Sequence, residues 1–125
     1  MKPDSICAGV DIETISRFNE SKITSRTFLN LCFTPLEQQY CLSKAKPAQH
    51  FAARFAAKEA VIKALSGLDL YLERNKIEIC NKEDGRPYLR FYTDNEKIIC
   101  LKTDISLSHS ETSAIAFVII YTNEK

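Results

Sequence analysis

One stretch restricts the whole chain. Phe51 to Gly67, FAARFAAKEAVIKALSG, reads as a single helix that is apolar on nearly every side yet carries Arg54, Lys58, Glu59 and Lys63. An isolated ion taken out of water costs several kcal/mol or shifts its pKa instead. These charges therefore need partners or a use. At about 100° per residue, Ala53, Ala56, Ala57, Ala60 and Ala64 form one smooth arc, suited to close approach by a sheet or another chain. Phe51, Phe55 and Ile62 form a second, bulky arc. Arg54 and Lys58 share one direction, and Glu59 and Lys63 share another about 140° away. The second pair lies between the two apolar arcs. On a solvated face a Glu–Lys pair four residues apart is worth only about 0.2–0.5 kcal/mol. No solvated face is visible for this one, which favours a site using a carboxylate and an amine together.

The rest of the composition bounds the setting. A chain of 125 residues is long enough for one domain with a modest core, here residues 1–125. Its formal charge of +1 provides no global basic field for nucleic acid or a membrane surface, so any anion must be held locally. The five cysteines, Cys7, Cys32, Cys41, Cys80 and Cys100, are odd in number and widely spaced, without CxxC or zinc spacing. They read as small hydrophobes in a reducing compartment. The N-terminal MKPDSICAGVDIE is too polar for a signal peptide. No run reaches the roughly 18 apolar residues of a spanning helix, so a cytoplasmic protein is expected.

Along the chain, Ser5 to Ile15 alternates as a strand that closes on Asp11 and Glu13. Two apart, these carboxylates share one strand face and repel unless a cation lies between them or the strand end is simply exposed. Gly9 leaves room for another backbone or a ligand. Ile15 to Leu31 reads as helix, or helix and loop, with Arg17, Lys22 and Arg26 on its surface. Thr34-Pro35-Leu36-Glu37 is a capping box with Pro in the first turn, Lys44 to Pro47 break that helix, and Gly67 is the expected C-cap of the long one. Lys76 to Asn81 and Tyr88 to Tyr92 are strands around an Asp84-Gly85 turn. Thr93 to Leu101 has room for a short helix. Asp104 to Ser110 and Ser113 to Thr122 form a closing hairpin. The last, almost wholly apolar, must be central or covered on both faces. The expected class is α+β, a small antiparallel sheet packed on a long central helix.

Ser106, Ser108 and Ser110 alternate with Leu107 and His109, so the serines share a face and His109 lies on the other. Without a GxSxG elbow this is a poor hydrolase triad. Hydroxyls and an imidazole near Arg54, Lys58 and Lys63 suit phosphate oxygens better. Oxygen ligands without thiolates or several imidazoles select a hard cation, and Mg²⁺ takes one or two carboxylates plus substrate phosphates. The residues alone support phosphoryl or pyrophosphate-centred chemistry.

Four motifs in register, Gly9-Val10-Asp11-Ile12-Glu13, Arg54-Phe55-Ala56-Ala57-Lys58-Glu59-Ala60 with Lys63-Ala64-Leu65, Gly85-Arg86-Pro87 and Ser108-His109-Ser110, resemble the 4′-phosphopantetheinyl transferases of the short holo-[acyl-carrier-protein] synthase type. The resemblance runs over almost the whole chain. It implies an enzyme that moves the 4′-phosphopantetheine arm of coenzyme A onto a serine of apo acyl carrier protein and releases 3′,5′-ADP, with the carrier one of fatty acid biosynthesis or of secondary metabolism. It implies Mg²⁺ on Asp11 and Glu59, with Glu13 as a third carboxylate more typical of the two-lobed transferases. Lys63 would meet the pyrophosphate and the leaving phosphate, and Glu59, or a water it orients, would serve as general base. Arg54, Lys58, Ser108 and His109 would hold phosphates, while Gly85 and Pro87 shape the turn against the nucleotide. Arg17 and Arg26 fall where short synthases meet the acidic carrier helix. Ser66-Gly67-Leu68 departs from the usual Gly-Thr-Gly-like loop. The short family is also trimeric with sites between subunits, and the alanine arc and last strand suit such packing. The alternatives are a non-catalytic coenzyme A or carrier-protein binding module, and a Mg²⁺-dependent nucleotide hydrolase, which the absence of a Walker loop disfavours.

Overall fold

The charged alanine-rich stretch forms the long helix that the rest of the chain is built around. The computed structural model describes residues 3–123. Strand β1 (Pro3–Thr14) leads through a 3-10 turn at Ile15–Arg17 into α1 (Glu20–Ile23), α2 (Arg26–Cys32) and α3 (Pro35–Leu42). Helix α4 (Pro47–Ser66) follows, then a 3-10 turn at Arg74–Lys76, β2 (Ile77–Asn81) and β3 (Pro87–Phe91). Helix α5 (Glu96–Ile99), β4 (Lys102–His109) and β5 (Ser113–Asn123) complete the order. The expected α+β class holds, with two antiparallel sheets: β1-β5-β4, and the β2-β3 hairpin.

The alanine arc serves the chain's own sheet. Ala56, Ala57, Ala60 and Ala64 are completely buried in one core with Ala116, Val118 and Ile120 of β5. Small side chains let strand and helix backbones approach. The limit is reached at Gly9, where an added Cβ would lie 1.8 Å from the Ala60 carbonyl oxygen. That contact sets the height of β1 on α4, and with it the position of Asp11 two residues on. Of the two partners expected for the arc, sheet or second chain, the sheet takes Ala56, Ala57, Ala60 and Ala64, and these four are not available to another chain.

Strand β5 is central, as its apolar run required, paired to β1 through Val10↔Phe117 and Glu13↔Ala114 and to β4 through His109↔Ala114. Only its inner face is covered within one chain. On the outer face Ile6, Val10 and Ile12 of β1 and Ile115 and Phe117 of β5 are exposed.

A second core gathers Phe18, Phe33 and Phe51 with Phe28 and Phe55 packed on it; Phe33 meets Phe51 edge to face at 5.0 Å between centroids, a favoured aromatic geometry. The Thr34–Glu37 capping box forms as expected. Gly67 occupies the C-cap of α4 as expected, at φ −65°. The positive φ after the helix falls on Asp69, at 58°. Gly85, at φ 91°, supplies the tight β2–β3 turn.

Candidate active site

Strand β1 and helix α4 bring the carboxylates of the N-terminal motif to the amine of the helix. Lys63 Nζ lies 3.2 Å from Asp11 Oδ1 and donates to the Val10 carbonyl at 2.9 Å. Glu59 does not pair with Lys63: its Oε2 accepts from Arg74 Nε at 2.6 Å. Glu13 Oε1 accepts from Arg17 Nη1 at 2.9 Å. Each of the three carboxylates thus has a resident cation.

They still crowd one another. Burial, then the neighbouring Asp11 carboxylate, push the Glu13 carboxyl up to about 7; Glu59 adds to this and Arg17 opposes it. Asp11 Oδ2 is buried without any hydrogen-bond partner. An orphaned carboxylate oxygen beside a carboxyl that keeps its proton near neutrality marks a place short of positive charge, and an all-oxygen donor set fits a hard divalent cation. Among the described residues no three carboxylate, imidazole or thiol groups close into a cage. A cation on Asp11 and Glu59 would need water or substrate oxygens to complete its shell.

The helix charges divide the other way round from the sequence reading. Lys63 is the open one, with a side chain 57% exposed. Lys58, expected among the phosphate ligands, is fully buried: Nζ lies 2.6 Å from Glu37 Oε1 and donates to the carbonyls of Arg74, at 2.9 Å, and Ile77. With no surface to offer a ligand it ties α4 to α3 and β2. A 100° helical wheel does not show this, because the wheel carries no information on what packs against each face.

The remaining expected residues meet elsewhere. Arg54, Gly85, Pro87, Ser108 and His109 line one cleft of about 240 Å³, together with His50. The Arg54 guanidinium stacks over Tyr40 at 4.1 Å and donates from Nη2 to Asn81 Oδ1 at 2.6 Å, while its buried Nε has no partner. Gln49 Nε2 is 3.1 Å from His109 Nε2. Burial, and then the charges of Arg54, Lys44 and His109, hold His50 below its ordinary value. This is a cationic cleft with an unsatisfied guanidinium, an arrangement that binds phosphate oxygens. Neither Asp11, Glu13, Glu59 nor Lys63 lines it. Arg54 and Glu59, five residues apart, point about 140° apart around α4, so one chain presents the two groups in different directions.

Several residues of this arrangement escaped the sequence reading, His50 and Tyr40 among them. Glu37 was visible only as a capping residue, and its second bond to buried Lys58 depends on tertiary packing. Arg74, Gln49 and Asn81 stand in no motif, and no local pattern marks them.

Comparison with known proteins follows the geometry. The family model described as the 4′-phosphopantetheinyl transferase superfamily matches residues 7–118. A holo-[acyl-carrier-protein] synthase of Cytophaga hutchinsonii is 40% identical over 122 residues, covering 92% of this chain and 96% of that protein. Among solved structures, the acyl carrier protein synthase of Mycobacterium tuberculosis is 32% identical with a TM-score of 0.75, covering 95% of this chain and 100% of the other. A synthase–coenzyme A complex from Chronobacterium ammoniagenes is 27% identical with a TM-score of 0.78, covering 97% and 100%.

Proposed function

The chain belongs to the 4′-phosphopantetheinyl transferase superfamily, and from that premise we propose that it is a holo-[acyl-carrier-protein] synthase, a single-domain enzyme transferring 4′-phosphopantetheine from coenzyme A to a serine of apo acyl carrier protein. The observation that carries the reading is Asp11, with one buried oxygen unpartnered and the other 3.2 Å from Lys63. A buried carboxylate oxygen without a partner, on a carboxylate whose other oxygen meets an exposed amine, suits a hard cation and a phosphate oxygen side by side.

In the reaction the serine hydroxyl oxygen forms a bond to the phosphorus that carries pantetheine, and the bond from that phosphorus to the bridging oxygen breaks, releasing 3′,5′-ADP. Asp11 and Glu59 would hold Mg²⁺. When bound, the ion neutralises charge on the pyrophosphate and polarises the attacked phosphorus. Glu59, or a water it orients, accepts the hydroxyl proton. Lys63, exposed at the surface, meets the oxygen that leaves. Arg54, Ser108 and His109 hold the nucleotide phosphates against the Gly85–Pro87 turn.

The two groups face apart on one α4, and the outer face of the β1-β5-β4 sheet is apolar and open. Both features support a homotrimer in which coenzyme A lies between the Asp11 group of one chain and the Arg54 cleft of the next. The exposed Arg17 and Arg26 suit the acidic face of a carrier protein. Among the described residues no helix is long and apolar enough to cross a membrane. The five free thiols suit the reducing cytoplasm, where we place the enzyme.

The decisive experiment incubates the protein with apo acyl carrier protein, coenzyme A and Mg²⁺ and weighs the carrier by mass spectrometry. A gain of one phosphopantetheine, lost in folded Asp11→Ala and Glu59→Ala, supports transfer. Coenzyme A binding with no carrier modified would leave a binding module, and coenzyme A breakdown without a carrier would indicate a hydrolase.

A further inference from the structure

Arg74 touches the site from a segment that no motif covers. Its backbone is anchored, because fully buried Lys58 donates to the Arg74 carbonyl at 2.9 Å. Its guanidinium lies 5.5 Å from the centre of the Phe55 ring, and the side chain remains 37% exposed. Nε donates to Glu59 Oε2 at 2.6 Å, and the bond to Glu59 raises the Arg74 pKa further. The two Nη groups make none of the hydrogen bonds among the described residues, and Glu59 Oε1 is likewise uncommitted. An arginine has five donors in a rigid fork matched to carboxylates and phosphates alike. Here one edge serves a carboxylate and the other is open.

We infer that Arg74 is a further substrate-binding residue: it neutralises Glu59 in the free enzyme and passes to the pyrophosphate of coenzyme A when a divalent cation takes Glu59. The inference rests on the transferase reading for the identity of the anion. Its physical basis is charge. A cation approaching Glu59 in the free protein meets a carboxylate already neutralised and a guanidinium that repels it. The pyrophosphate offers that guanidinium a bidentate partner and the cation further oxygens at the same moment. Metal and coenzyme A should therefore bind with positive coupling, and linkage makes that coupling the same whichever binds first. Lys63 on Asp11 has the same relation to the other proposed metal ligand.

The test compares wild type with Arg74→Gln and Arg74→Lys, each checked for folding by circular dichroism. Mn²⁺ binding is followed by electron paramagnetic resonance, with and without coenzyme A, and coenzyme A binding by calorimetry in Mg²⁺. In the absence of coenzyme A, Arg74→Gln should bind Mn²⁺ at least about five-fold more tightly than wild type. With Mg²⁺ present it should bind coenzyme A at least about ten-fold more weakly. Arg74→Lys should lie between the two on both measures. A residue that merely supports Glu59 would loosen Mn²⁺ when removed, so weaker Mn²⁺ binding by Arg74→Gln overturns the inference. So do equal metal and coenzyme A affinities in all three proteins, including the case in which none binds Mn²⁺ alone. If wild type binds no coenzyme A, the transferase reading fails, and the metal-only comparison still decides whether Arg74 shields Glu59.

Discussion

Lys58 Nζ lies 2.6 Å from Glu37 Oε1, and neither side chain has any exposed surface. Glu37 also accepts the backbone N–H of Thr34 at 2.9 Å and of Ile79 at 2.8 Å, so one carboxylate joins α3, α4 and β2. Removing one partner of a buried pair leaves an uncompensated charge, costing about 3–5 kcal/mol. Lys58→Met should lose about that much in urea unfolding. Pairing it with Glu37→Gln should recover only part, since the glutamine retains one acceptor oxygen where the carboxylate had two. An unchanged midpoint in Lys58→Met would show that the pair contributes nothing net.

Gly9→Ala places a methyl group against the Ala60 carbonyl, and a backbone group cannot swing aside. Overpacking of this kind costs about 1–3 kcal/mol, and the upper end is expected here. As β1 lifts from α4, Asp11 should leave Lys63 and transferase activity should fall with thermal stability. A stable, fully active variant would mean that the sheet accommodates the shift without moving the site.

Asp11→Asn keeps the shape of the side chain but removes its charge. If Asp11 holds the cation, kcat should fall by about 10²–10³-fold in a protein whose unfolding curve is no worse than wild type. The rate measured against Mg²⁺ concentration should shift to higher metal. A loss that follows stability instead of Mg²⁺ would assign Asp11 a structural role.

His50 is held below its ordinary value of 6.5 by burial and by the Arg54, Lys44 and His109 charges. As the pH falls below about 6.5, the unfolded chain takes up this proton before the folded one does, so stability is lost on acidification. The loss should be smaller in His50→Gln. A phosphate-bearing ligand in the cleft should reverse the sign locally, so coenzyme A binding near pH 6 should take up protons, read by calorimetry in buffers of different ionisation enthalpy. Identical pH profiles for wild type and His50→Gln would remove His50 from this account.

Shared sites make inactive chains able to complement one another. Asp11→Ala and Arg54→Ala should each be inactive alone, and mixed trimers formed by refolding them together should regain a fraction of wild-type rate. Phe117→Asp, which charges the outer sheet face, should lower the mass seen by sedimentation and abolish activity without unfolding the chain. An active monomer would refute the shared site.

Much of this protein was legible in the chain alone. Hydrophobic period, the Thr34–Glu37 box, the Asp84-Gly85 turn and the Gly9 gap are local signals, and each produced the element or close approach expected of it. The carboxylates of β1 were legible as a same-face pair, and the meeting of Arg54, Gly85, Pro87, Ser108 and His109 in one cleft was implied by the resemblance to the family. Only the tertiary structure decided which charges are solvated. Sequence spacing gives directions around a helix, but burial depends on what packs there: Glu37, distant in the chain, draws Lys58 inside, and Asp11 holds Lys63 at the surface. The same packing puts Arg74 on Glu59 and turns the Arg54 cleft away from the carboxylates. Long-range pairing of this kind is set by the fold as a whole and leaves no local mark in the sequence.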